Sequence, residues 1–470
     1  MPRSRHGTSR RVTGGNCGAR PFALLSESLQ ESRSASVFTG WRTSPGRVVS
    51  DRSPSPASLA PDRLPSSPVL KYYLYQATVS FGFFSPVFTL FLLDRGLDYT
   101  AIASLSVLYA VLTVVGEIPT GYVGDRIGRR ASLLLSSVFM TLSILGFALV
   151  RSYLGLAVLY VLWTLSLVFR SGTGDAWLYD TLEARLRSDR FAHVRGRGQS
   201  VRQAVTVVTM LAGGLLYSVR PTLPFVASGL LNGAGVLVLL TFPKNRQYVD
   251  GDSGGSDDRT DRSNDALDTV AALGVLREQL TRPRLRWFVA YAALFFGVVV
   301  AADTYVQPVS TETLGVPVAS MGLLYAAFAG VSAAASYYAG PVRDRLGVRG
   351  AVLAVPVVLG VALVAPLLWP LLAFPAFFVL KGSRSLLHPI VTQRVNDEVA
   401  SVGRATVLSA ASMAYALVKL PLYLLGGAVA DATSALVAVG VLGGVFLAGI
   451  AAVRVFASPL AESESDPVSG

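Results

Sequence analysis

Charged side chains interrupt several long apolar stretches of this sequence, and they are the residues best able to do chemistry there. They are Glu117, Arg170, Asp175, Asp303, Lys381, Arg384 and Lys419. A charge inside a membrane is costly unless it is paired or hydrated, so each is expected to face the interior of a helix bundle. Buried carboxylates can carry protons, because burial raises the pKa of a carboxyl group and a nearby cation lowers it. Buried cations can bind an anionic solute.

Two of the cations occupy corresponding positions in the two halves of the chain, since Arg170 and Lys381 are offset by 211 residues within similar stretches. They could clamp an anionic substrate, or they could serve as counter-ions for the acids. Glu117 and Asp303 are the candidate proton carriers, with structural ion pairing as an equally open interpretation. Lys419 is expected to neutralise one of these acids. Tyr305 and Gln307, among other nearby polar groups, could orient a substrate.

The elements that must position these residues are membrane helices. The chain has 470 residues, of which 52% are hydrophobic and 15% charged, with a mean hydropathy of +0.51. Soluble domains carry about 25% charged residues. Twelve helices of about 20 residues would use about 240 apolar positions, roughly the number present. The composition therefore excludes a purely soluble globule and predicts a polytopic all-α membrane protein.

Twelve apolar spans fall into two sets of six, which gives a six-plus-six architecture. The predicted spans are 70–93, 100–122, 131–150, 153–179, 200–218, 222–242, 287–308, 317–339, 350–368, 370–392, 404–427 and 431–454. They divide the chain into a disordered basic tail (1–68), an N-terminal half (69–243), a cytoplasmic linker (244–286), a C-terminal half (287–456) and a disordered C-terminal tail (457–470). The Asp-, Ser- and Gly-rich linker can bury little apolar surface.

Composition also narrows the classes of function. Half of the net charge of +12 lies in the basic tail, which indicates a solvated segment and no nucleic-acid partner. One cysteine and three dispersed histidines predict no metal site and no disulfide framework. The sequence has no HExxH or GxxxxGK[ST] motif, so we expect no enzymatic activity and no cofactor. Nothing in the sequence predicts an oligomeric state.

Arginine placement predicts the orientation. Loops that would be cytoplasmic with an inside N-terminus carry clusters of arginine at 126–130, 185–197 and 343–349. The opposite loops hold little beyond Arg95, Arg151 and Arg220. Basic residues stay on the cytoplasmic side, so both termini are expected there, in a multi-pass protein of the cell membrane.

A polar turn occurs twice, as GYVGDRIGRR at 121–130 and GPVRDRLGVR at 340–349. The offset of 219 residues, with the same orientation in each half, predicts two parallel halves related by an axis along the membrane normal. Glycine in such a turn permits close helix approach and a tight bend. The charged residues can latch one face of the bundle shut. The predicted latch residues are Gly121, Gly124, Asp125, Arg126, Gly128, Arg129, Arg130, Gly340, Asp344, Arg345, Gly347 and Arg349.

The turn at 121–130 resembles the signature loop of the major facilitator superfamily, G-x-x-x-D-R-x-G-R-[RK], between the second and third helices. The copy at 340–349 departs from it at Val348. Arg170, four residues before Gly174, is similar to the arginine–glycine motif of that family's fourth helix. The resemblance covers residues 69–456. It implies alternating access, with the first, fourth, seventh and tenth helices lining a central cavity.

The expected function is therefore secondary active transport of a small molecule across the lipid bilayer, with the proton as coupling ion. An uncoupled facilitator, a drug/proton antiporter and a non-transporting sensor remain as alternatives. Drug exporters of the family often carry a Gly-Pro pair in the fifth helix, whereas this chain has Gly213-Gly214 there and no proline. That departure lowers the weight of drug export.

Overall fold

A computed structural model describes residues 67–184, 188–243, 283–398 and 404–456. Side chains at 117–126, 188, 283–286, 395–398, 404–413 and 456 fall outside this description. The described ranges are helical, with no strand among them. The two predicted tails and the predicted linker lie, apart from their edges, outside the described residues, so the domain boundaries remain predictions.

Helices occupy nearly all of the described N-terminal half. In chain order they are α1 (Ser67–Thr78), α2 (Phe88–Asp94), α3 (Tyr99–Ile127), α4 (Arg129–Leu149), α5 (Tyr153–Arg170), α6 (Thr173–Glu183), α7 (Phe191–Val219) and α8 (Leu223–Leu240). The first predicted span is thus broken between α1 and α2, and the fourth between α5 and α6. Gly172, with a φ of +71°, forms the second break.

The C-terminal half repeats this order. Its helices are α9 (Pro283–Asp303), α10 (Met321–Tyr337), α11 (Ala339–Val364), α12 (Ala373–Glu398), α13 (Arg404–Ala432) and α14 (Ala435–Phe456). After α9 the chain bends by 45° into a short helical segment, Val306–Thr313, so the seventh span is broken as the first is. Backbone polar groups in a membrane must be satisfied within the protein, which explains the predominance of helix.

Nine helices in the described ranges are long and apolar enough to cross a membrane, or ten if the bent pair at 287–313 is one span. The predicted all-helical membrane architecture is confirmed. The two spans outside that count are the broken α1–α2 pair and α7, whose first turns are rich in arginine (FAHVRGRGQSVR). For those two segments, membrane spanning remains a prediction.

Buried serines connect neighbouring helices inside the N-terminal half. The Ser136 hydroxyl on α4 donates to the backbone oxygen of Ser166 on α5 at 2.7 Å, and that of Ser143 donates to Leu159 O at 2.8 Å. Small hydroxyl side chains allow close packing and also supply interhelical hydrogen bonds, which is how membrane helices associate without a hydrophobic driving force.

The two halves meet where α3 packs against α13 and α7 packs against α10. In the second contact the two backbones approach closely. A Cβ added at Gly322 would lie 2.1 Å from Met210 O, and one added at Gly214 would lie 2.5 Å from Val318 O. Both contacts lie at the end of the bundle where α3 begins and α13 ends. We call it the closed end.

Candidate functional site

An ion pair joins the break in the seventh span to α12. The ammonium of Lys381 lies 2.5 Å from Oδ1 of Asp303, the last residue of α9. The Lys381 side chain is 12% exposed and that of Asp303 is 35% exposed. The ammonium also lies 5.1 Å from the ring centroid of Tyr325 and 5.7 Å from that of Phe328, both on α10. Three helices therefore surround one charge, which aromatic faces and a carboxylate stabilise together.

Two more predicted cations lie close to this pair. Arg384 is one turn beyond Lys381 on α12, and the buried Lys419 on α13 interacts electrostatically with Arg384. Among the described side chains, no carboxylate lies within 4.0 Å of Lys419, so the acid predicted to neutralise it is not found in that set. The Glu117 side chain is outside the described residues.

Arg170 and Asp175 lie on opposite sides of the break in the fourth span. Arg170 is the last residue of α5, whereas Asp175 is in the first turn of α6. The Asp175 carboxylate accepts a hydrogen bond from Nε of Arg195 on α7 at 2.9 Å. The two side chains are each 25% exposed. The structure thus pairs Asp175 with a residue of α7, a helix outside the fourth span.

The two copies of the polar turn share an unusual backbone conformation. Gly128 has φ and ψ of 85° and 150°, and Gly347, at the equivalent position, has 68° and 164°. Only glycine adopts this region without strain. Gly128 separates α3 from α4, and Gly347 makes a kink inside α11. The predicted repeat therefore extends to the backbone.

Arginines of the first copy bind elements of their own half. Arg129 pairs with Asp180 of α6 and donates to Ala176 O at 2.7 Å. Arg130 donates to Leu240 O, at the C-terminus of α8. The side chains of Asp125 and Arg126, like that of Glu117, lie outside the described residues, and so does the packing around Gly121 and Gly124.

In the second copy, Arg343 donates to Oε1 of Gln393 on α12 at 2.6 Å and pairs with Asp344 at 3.1 Å. The Asp344 side chain is 66% exposed. Arg345 is exposed and Arg349 is too. A Cβ at Gly340 would meet nothing within 4 Å, so close packing does not require glycine there. A latch role for either copy remains a prediction.

Polar contacts between the halves were not anticipated from sequence. Oε1 of Gln307, just after the break in the seventh span, accepts from Thr89 N of α2 at 2.7 Å. The carboxylate of Asp431, near the end of α13, accepts from Tyr99 N and Thr100 N of α3, each at 2.8 Å. Gln307 was a candidate for substrate contact, and nothing in the local pattern marked Asp431.

An aromatic cluster fills the N-terminal half around Trp163 of α5. Rings of Phe81, Phe84 and Phe88, from the break in the first span, have centroids 5.5, 5.5 and 5.6 Å from that of Trp163. Trp163, Phe81 and Phe88 are only partly buried. The aromatic run FGFFSPVF at 81–88 is the signal that could have indicated this cluster.

A family model of the Major Facilitator Superfamily matches residues 76–421. The chain belongs to this superfamily. An uncharacterized MFS-type transporter of Bacillus subtilis, YxaM, is 25% identical over 158 residues, or 33% of this chain and 38% of the relative. One of Methanocaldococcus jannaschii, MJ1317, is 24% identical over 151 residues, 32% of this chain and 37% of the relative. The alignments thus span just over a third of these curated relatives.

Solved structures show the same fold at low identity. The nucleoside transporter NupG has a TM-score of 0.65 at 11% identity, covering 82% of this chain and 96% of that one. A bacterial homologue of the human lysosomal transporter Spinster, inward-facing and occupied, has a TM-score of 0.58 at 16% identity, covering 82% of this chain and 93% of that one. A D-xylose–proton symporter has a TM-score of 0.55 at 15% identity, covering 84% of this chain and 97% of that one.

Proposed function

We propose that the protein is a secondary active transporter that moves a small anionic solute by alternating access, coupled to protons through Asp303. The observation that carries this proposal is the Asp303–Lys381 pair, in which a membrane-embedded carboxylate and an ammonium lie 2.5 Å apart at a break in a span. Charges in such a place are expensive to maintain and commonly mark substrate or proton pathways.

The pair can exchange partners without leaving a charge unbalanced. When Asp303 takes up a proton, its carboxyl group becomes neutral and the ammonium of Lys381 loses its counter-ion. An anionic group of the solute can then take that place, since Lys381 retains its contacts with Tyr325 and Phe328. Release of the solute favours ionisation of Asp303 and restores the pair. One proton and one negative charge thus cross together.

The neighbouring cations favour an anion over a cation as the solute. Arg384 lies one turn from Lys381 on α12, and Lys419 lies on α13, which packs against α12. A cationic solute would be repelled by this group, whereas an anion would be attracted in a medium where charges are weakly screened.

The orientation predicted from arginine placement makes the closed end the extracellular one. The described state is then one in which solute exchange with the outside is blocked.

The first experiment is ligand screening by thermal unfolding of purified protein in detergent. The panel consists of mono- and dicarboxylates, sugar phosphates, lipophilic cations and uncharged sugars. A ligand at 100 times its Kd stabilises the folded state by about 2.7 kcal/mol, which gives a visible shift. Stabilisation by an anion in the wild type, and its loss in a folded Lys381→Met variant, is the expected result.

Transport then tests the coupling. In proteoliposomes the stabilising anion should enter with protons, recorded by an entrapped pH dye, and Asp303→Asn should abolish the proton flux. Asp189→Asn, which removes an exposed carboxylate from the segment before α7, is the matched control. Anion entry without proton flux in the wild type would instead identify an uncoupled facilitator. Stabilisation by lipophilic cations alone would refute the anionic substrate and favour a drug antiporter.

A further inference from the structure

The side chain of Gln307 makes hydrogen bonds to both halves. Its Oε1 accepts from Thr89 N at 2.7 Å, and its Nε2 donates to Ser85 O at 2.8 Å and to the hydroxyl of Tyr325 at 3.0 Å. The residue is 5% exposed. Its Oε1 therefore caps the start of α2, in the other half, while its Nε2 binds the turn that precedes this helix. N–H groups in the first turn of a helix have no partner within that helix.

Thr89 and Gln307 are 218 residues apart, close to the 219-residue offset of the repeated polar turn. They are therefore equivalent positions in the two halves. Two equivalent positions can touch only near the axis that relates the halves. The Gln307 contact thus lies in the middle of the closed end, where a pathway between the halves would have to open.

Asp431 makes a second contact of the same kind at the rim. Its two carboxylate oxygens accept from the backbone N–H groups of Tyr99 and Thr100, each at 2.8 Å. The start of α3 already has a cap from its own half, because Oδ1 of Asp98 accepts from Ala101 N at 2.7 Å. Asp431 adds negative charge at the positive end of the same helix.

We propose that Gln307 and Asp431 form a two-point clasp that holds the halves together at the closed end and must release before solute can pass there. This inference rests on the alternating-access function proposed above. In both contacts a side chain binds the N-terminus of a helix in the other half, so water can replace these hydrogen bonds when the halves separate. The adjoining glycine contacts, Gly214 and Gly322, involve backbone only and can part without rearranging side chains.

The clasp is in contact with the charged site. Gln307 lies four residues after Asp303, and Tyr325, which accepts from its amide, also presents its ring to the ammonium of Lys381 at 5.1 Å. A change of partner at Lys381 therefore acts directly on a residue that holds Gln307. This continuity gives the solute site a physical means of biasing the clasp.

The test measures how often the closed end opens, using a cysteine that is buried while this end is closed. Ser85→Cys is made in a Cys17→Ser background, because the Ser85 hydroxyl is buried and its backbone oxygen binds Gln307. When opening is fast, the rate of alkylation by a maleimide scales with the open fraction. Loss of a helix cap or of a buried hydrogen bond shifts such an equilibrium about tenfold.

Gln307→Leu and Asp431→Ala should each speed alkylation about tenfold. The matched control is Asp98→Ala, which removes a carboxylate from the same helix start as Asp431 but within one half, and it should change the rate less than twofold. Unchanged rates in both clasp variants, or equal acceleration in Asp98→Ala, would overturn the clasp. Asp431 is exposed, so Asp431→Ala carries the test if Gln307→Leu fails to fold.

This outcome is independent of transport. Alkylation requires neither solute nor proton, so a chain that moves no anion can still have the clasp. Conversely, proton-coupled anion uptake with unaltered alkylation in the clasp variants would leave the proposed function standing and remove the clasp.

Discussion

Removing one partner of the Asp303–Lys381 pair should destabilise the protein far more than removing both. Breaking a fully buried ion pair costs about 3–5 kcal/mol, because the remaining charge stays in a poorly solvating site. Lys381 is nearly buried, but Asp303 is 35% exposed, and the ammonium keeps two aromatic neighbours. We therefore expect about 2 kcal/mol for Asp303→Asn, since water and the rings compensate part of the loss.

The assay is a double-mutant cycle of Asp303→Asn, Lys381→Met and the double variant, followed by thermal unfolding in detergent. For a unit the size of the C-terminal half, 1 kcal/mol corresponds to about 2–4 °C, so each single variant should lose about 4–8 °C. The double variant should recover most of this loss. Lys71→Met, which removes an ammonium bonded to Thr241 O at an exposed position, should lose much less. Losses that simply add in the double variant would refute a direct interaction.

The same contacts yield three further predictions. Gly347→Ala should destabilise by about 1–3 kcal/mol because of its φ of +68°, whereas Gly340→Ala in the same turn should be neutral, as thermal unfolding will check. Gly322→Ala should speed alkylation of the Ser85→Cys reporter, since its Cβ would lie 2.1 Å from a backbone oxygen of α7. Asp175→Asn should cost no more than about 1 kcal/mol in unfolding, because its ion pair is partly exposed.

The sequence predicts the large-scale architecture of this protein well, for a physical reason. Apolar stretches of membrane length fix the helices, and arginine-rich turns repeat at a fixed offset. The similar backbone conformation of Gly128 and Gly347 follows from the same repeat, because glycine adopts this conformation without strain. Such features depend on neighbours in sequence, which a single chain displays directly.

Pairings between charges could not be predicted in this way. The sequence left Arg170 and Lys381 as possible partners of Asp175, whereas the structure pairs it with Arg195. Lys381 had three candidate acids, and packing of α9 against α12 determines that Asp303 lies beside it. Contacts of this type depend on the rotation and depth of each helix, which hydrophobic packing sets over the whole bundle.

The pseudo-symmetry explains why the clasp could not be predicted from the repeat. Both interfaces contain a glycine against a backbone oxygen: a Cβ added at Gly427 of α13 would lie 2.9 Å from Tyr99 O of α3, and one at Gly214 of α7 would lie 2.5 Å from Val318 O, before α10. Among the described contacts, a carboxylate, that of Asp431, caps the opposite helix in the α3–α13 interface alone. The repeat conserves the approach of the helices but not the chemistry of contact. The α3–α13 interface therefore resists separation through the directional hydrogen bonds of Asp431, which have no counterpart among the described contacts of α7 with α10. Opening should therefore begin at the contact between α7 and α10 and end with release of Asp431.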